Sequence, residues 1–161
     1  MAEEQQAIFN IEKIYVKDLS IEVPNAPQIF LERETPKIDI QLSTKANPIN
    51  EGHFEVVLSV TATATFPPKP TDGKADQPKS VFLVEAHQAG IFQIRNIPQE
   101  NMEQVLAIHC PNILFPYVRE TISDAVARAG FPTFFLAPVN FDAIFQARQQ
   151  AQAEQEKPTQ H

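Results

Sequence analysis

His109 and Cys110 stand side by side in the chain, and they are the residue types from which a thiolate nucleophile and its base are made. Their spacing works against that chemistry. Adjacent residues of a helix point about 100° apart, so the imidazole cannot readily take the thiol proton. Cys110 is followed by Pro111 and reads as a small buried residue. His53 and His87 fall on the polar sides of alternating runs, with no CxxC, HExxH or carboxylate cluster beside them. A zinc ion would need three or four converging ligands. Glycine is scarce and scattered, 4 in the chain, so no loop is available to cradle a phosphate. The acids and phenylalanines remain. Asp18 and Glu22 project from one side if their strand is continuous, and Leu83 and Glu85 share the face opposite Phe82, Val84 and Ala86. "FPTFFLAPVNFDAIF", residues 131–145, holds five of the 12 phenylalanines. A thin two-layer domain has limited interior, and surplus rings suggest a groove for apolar segments of another chain.

The elements that must position these residues follow from periodicity. "KIDIQLSTK" alternates Ile38, Ile40 and Leu42 with polar neighbours, and "HFEVVLSVTATATF" does the same from Phe54 to Ala64. "SVFLVEAHQ" is a third run and "FNIEKIYVKDLSIEV" a less regular fourth. One-sided alternation predicts antiparallel strands with one face covered and one wet. The segment Pro67–Lys79, with four prolines, reads as a long hairpin loop. Helical spacing starts after Gly90: Pro98 and Glu100 suit a first turn, and Met102, Val105, Leu106 and His109 follow at three- and four-residue steps. Pro111 and Pro116 should kink or split this helix. Val118, Ile122, Ala125, Val126 and Ala129 continue the stripe to a stop at Gly130 and Pro132. A last helix is expected after Asn140, with Phe141, Ile144 and Phe145 inward. Strands followed by helices indicate an α+β fold.

The balance of 20 acidic and 13 basic residues, a formal −7, opposes unaided binding to nucleic acid or anionic lipid and favours basic partners. One cysteine leaves no internal disulfide and fits a reducing compartment. "MAEEQQAIFN" is acidic where a signal peptide would be basic, and no apolar run approaches the roughly 18 residues of a membrane span. A cytoplasmic protein without direct membrane insertion is expected. Three segments are anticipated: a flexible N-terminus at 1–7, a domain at 8–148 and a polar, frayed tail at 149–161.

"IYVKDLSIEVPNAPQIF", "FLVEAHQAGIF", "CPNILFPYVRE" and "LAPVNFDAIF", collinear from about Phe9 to Phe145, closely resemble SecB, the bacterial protein-export chaperone family. The resemblance implies a four-stranded antiparallel sheet with a long bent helix and a shorter C-terminal helix on one face, in a homotetramer built as a dimer of dimers. It implies binding of unfolded precursor proteins without ATP or any cofactor, and their delivery to the SecA motor ATPase. By matching motifs, Asp18, Glu22, Leu83 and Glu85 fall on the surface that meets SecA's basic, zinc-bearing tail; any zinc belongs to that partner. Ile38, Ile40, Leu42 and Phe145, with Phe141 a weaker candidate, fall on the client groove. Val84, Ala86 and Gln88 fall where the family places assembly or client release. Two departures stand out: the Pro67–Lys79 loop is long for the family, and Gln146, Arg148 and Gln149 replace a more apolar stretch. Three rivals stay open: a SecB-like chaperone serving a toxin–antitoxin system, an adaptor binding one folded partner through its acidic face, and, third, an enzyme using Cys110 or the histidines.

Overall fold

A computed structural model describes residues 5–68 and 77–156. Most of the proline-rich loop, the first four residues and the last five lie outside them. Four strands form one antiparallel sheet: β1 (Ile8–Glu22), β2 (Lys37–Asn50), β3 (His53–Phe66) and β4 (Lys79–Arg95), in the order β1-β4-β3-β2. The tight β2–β3 hairpin turns at Glu51–Gly52, where Gly52 takes φ +81°, a left-handed conformation that a side chain would disfavour. The even-numbered residues of β3 from Val56 to Phe66, and of β4 from Phe82 to Ile94, point to one side and form the core.

β1 obeys the same rule through two bulges. Its register against β4 shifts between Ile11 and Lys13 and again between Val16 and Asp18. Each bulge adds one residue and flips the parity. Phe9, Ile11, Ile14, Val16, Leu19 and Ile21 therefore pair with Ile94, Phe92, Gly90, Gln88, Ala86 and Val84, all on the core side. The irregular spacing of apolar residues in this strand is the imprint of those bulges.

The helical layer lies on that side. A nearly continuous run comprises α1 (Gln99–Gln104), a π-helical turn (Val105–His109) and α2 (Cys110–Arg128). Pro111 has no N–H for the carbonyl one turn earlier and its ring crowds that carbonyl; the π turn lies immediately before it. Pro116 sits inside α2. α2 packs across β4 and β3 through Leu114, Val118, Ile122 and Val126. It ends at Gly130 (φ +98°), whose N–H reaches Ala127 O at 3.1 Å while Phe131 N–H reaches Val126 O at 3.2 Å, the paired cap typical of a glycine stop. Asn140 caps α3 (Phe141–Gln155), its side chain accepting from Ala143 N–H at 3.0 Å.

Two expectations change. Helix does not follow Gly90: β4 continues to Arg95 because Phe92 and Ile94 keep the two-residue period on the core side. Gly90 is required within the strand, since a Cβ there would lie 2.7 Å from the Phe92 ring. The stretch expected to fray from Gln149 is helical to Gln155, although the described residues from Gln146 to Glu156 are all exposed.

Candidate binding surfaces

The face of the sheet away from the helices carries charges of both signs, with acids gathered at one end of β1 and β4. After the second bulge, Asp18, Ser20 and Glu22 of β1 lie opposite His87, Glu85 and Leu83 of β4. The four residues expected at a docking surface, Asp18, Glu22, Leu83 and Glu85, thus occupy one patch on two neighbouring strands. Thr61 and Thr63 of β3 continue it beside Glu85 and Leu83. His87, which motif matching did not select, is half-buried in the same patch. Its Nε2 lies 2.9 Å from Glu85 Oε1 and its Nδ1 lies 2.6 Å from Ser59 Oγ. A second polar cluster lies further along the face. Lys17, the residue of the second bulge, donates to Glu55 at 2.7 Å, and the Tyr15 hydroxyl donates to the other Glu55 oxygen. Ala89 is the β4 residue between Tyr15 and β3, small enough to let the phenol reach across. The Lys17 and Tyr15 hydrogen bonds hold the Glu55 carboxyl below its usual range, against the opposing effect of burial. Burial, with Glu55's hydrogen bond and charge adding to it, pushes the Tyr15 phenol up to about 12.

On the helix side, α2 covers the centre of the sheet and the margins are covered only in part, with Ile11, Val16 and Leu19 of β1 and Ile40 of β2 exposed. Along β2, Ile38, Ile40 and Leu42 pair with Ala64, Ala62 and Val60 and so face the helical layer. Ile40 is nevertheless 44% exposed. Leu42 lines a cavity of about 210 Å³ with Leu106, Ala107, Phe141, Ile144 and Phe145. Ile38 lines a larger one, about 440 Å³, whose walls include Phe30, Phe66, Phe82, Phe131 and Phe134. Phe131 bridges two of these rings, 5.0 Å from Phe30 and 5.1 Å from Phe82, centroid to centroid. The expected groove residues thus divide between two hollows with Ile40 between them along β2. Phe141 and Phe145 are only 3% and 5% exposed, so they form a floor rather than a contact surface, and Phe141 packs edge-on against Phe115. Ile144, between them, is 44% exposed. The aromatic cavity was not singled out residue by residue from the sequence; its signal was the phenylalanine-rich segment that supplies Phe131 and Phe134.

Val84, Ala86 and Gln88 lie in the core beneath the helices. The Gln88 amide donates to Tyr15 O at 3.2 Å and accepts from the Thr121 hydroxyl at 3.0 Å, tying β4 to β1 and α2. Any influence of these three on assembly passes through packing. Cys110 is fully buried, and burial pushes its thiol up to about 12, which leaves almost no thiolate near neutral pH. Among the described residues no group of three or more histidines, cysteines and acids could hold a metal ion.

Residues 2–152 match the family described as "Preprotein translocase subunit SecB". The chain belongs to the SecB family. It is 54% identical to the protein-export protein SecB of Methylobacillus flagellatus over 99% of its own length and 96% of that protein's. It is 56% identical to the protein of the same name from Azoarcus sp., with 94% of each covered. Among solved structures, it resembles a SecB-like chaperone of Mycobacterium tuberculosis solved with an antitoxin peptide, at a TM-score of 0.62 and 17% identity over 82% of this chain and 91% of that one. That similarity concerns the SecB fold: four antiparallel strands with helices on one face. No helix among the described residues is long and apolar enough to cross a membrane.

Proposed function

We propose that the chain is an ATP-independent holdase of protein export. It acts in the cytoplasm as a homotetramer, binds unfolded precursor proteins in apolar grooves on the helix side of its sheet, and hands them to SecA through the acidic outer face. The observation that carries this reading is the separation of two surfaces by one sheet. Partly exposed apolar residues of β2 lie on one side, and the patch of Asp18, Glu22, Leu83 and Glu85 on β1 and β4 lies on the other. The SecB relatives named as protein-export proteins, above half identical over nearly the whole chain, favour export over an antitoxin partner.

The β2 margin suits clients. Burying a few exposed apolar side chains is worth roughly 1.5–3 kcal/mol each before ordering costs. Several such weak sites on one assembly hold a long chain through effective concentration, without sequence specificity. The β1 margin suits self-assembly. Phe9, Ile11, Val16 and Leu19 are 37–48% exposed on the core side, and Phe9 lines one hollow with Ile97, just before α1, and with Val105 and Ile113 of the helical run. A strip of this length is costly in water unless a second copy covers it. The acidic face suits a basic tail, with faster encounter at low salt.

The two surfaces separate by mutation. Ile40→Asn with Ile144→Asn should weaken binding of an unfolded precursor about tenfold or more, with SecA binding within about twofold of wild type, given two partly exposed apolar anchors. Asp18→Lys with Glu85→Lys should reverse the pattern. Loss of both activities in both variants would contradict the two-surface reading.

A further inference from the structure

Three strands meet at His87. Its Nε2 faces Glu85 Oε1 at 2.9 Å on its own strand, and its Nδ1 faces Ser59 Oγ at 2.6 Å on β3. Asp18 is its register partner on β1. Lys17, the residue before Asp18, is committed to Glu55. A carboxylate only accepts hydrogen bonds, so Nε2 carries the proton that Glu85 receives. Nδ1 then accepts from the Ser59 hydroxyl. If Nδ1 gains a proton, Ser59 turns its own hydrogen away and accepts instead, with no heavy atom moving. The cluster is therefore satisfied in both charge states of the imidazole.

We propose that His87 is a positioning and proton-responsive residue of the docking surface: it holds the Glu85 carboxylate in place and, on taking a proton, lowers the negative charge that a basic partner meets. The inference rests on reading that face as a docking surface. Neutral His87 leaves Asp18, Glu22 and Glu85 with their full charge, whereas protonated His87 offsets one of the three. Docking then loosens as pH falls. One charge about 6 Å away in water changes affinity roughly threefold.

The test is binding of a lysine-rich peptide to the full-length protein at about pH 8 and about pH 5.5, at constant ionic strength, with wild type, H87Q, H87A and D18K. Glutamine keeps a donor for Glu85 but does not titrate. Wild-type affinity should fall about threefold more across this range than that of H87Q. At the higher pH H87A should bind severalfold more weakly than wild type, and H87Q should recover most of the loss. Parallel pH profiles for wild type and H87Q, with D18K binding lost, would overturn the role of His87 alone. Unchanged binding by D18K would overturn the docking surface and the inference with it.

Discussion

Tyr15, Lys17 and Glu55 show how single side chains on an exposed sheet face become coupled to stability. Glu55 is lowered by the Lys17 and Tyr15 hydrogen bonds, so its contribution is present above the unfolded carboxylate range and is lost as pH falls through its folded value. Tyr15 is raised to about 12, first by burial and then by Glu55; its contribution is present below the unfolded value of about 10 and is lost between there and about 12. Stability to urea should therefore fall at both extremes, and Glu55→Gln should flatten the acid side while only reducing the alkaline one, where burial of Tyr15 still acts. An acid slope unchanged by that substitution would contradict the coupling. The polar faces of the strands were legible as alternation, but these contacts were not. They need β1 and β3 to flank β4 with Ala89 between them, and strand order is not encoded in any local pattern.

At the scale of elements, β1 shows why periodicity was read correctly in kind yet incompletely. Two inserted residues, Glu12 and Lys17, shift its register, so one apolar face appears in sequence as an irregular run. Deleting Glu12 should turn Phe9 and Ile11 to the wet face and cost several kcal/mol, whereas Glu12→Ala on the exposed strand should cost less than about 0.5 kcal/mol. Equal thermal unfolding of the two variants would contradict this account of the bulge. β4 runs beyond its clearest alternation, through Gly90 to Arg95, and Gly90 makes room there for the Phe92 ring. The helix ends were more legible, because Gly130 closes α2 and Asn140 opens α3 through their own local hydrogen bonds. The prolines announced a disturbance in the long helix but not its form, since a π turn depends on packing on both sides of it.

At the scale of the whole molecule, the sheet is covered at its centre and only in part at its margins. Motif resemblance brought Asp18, Glu22, Leu83 and Glu85 to one patch, and it placed Ile38, Ile40 and Leu42 on one strand face. It named Phe141 and Phe145, which the fold buries while leaving Ile144 between them exposed; that division depends on how α3 packs and is not visible in a motif. The central claim is that the partly exposed apolar margin along β2 binds chains that have not folded. Its most direct test is refolding of a slow-folding precursor with the purified protein at four chains per precursor and no nucleotide. The account predicts that refolding is delayed by wild type and returns to near its rate without the protein with the Ile40→Asn, Ile144→Asn variant. Refolding that wild type leaves undelayed would contradict it.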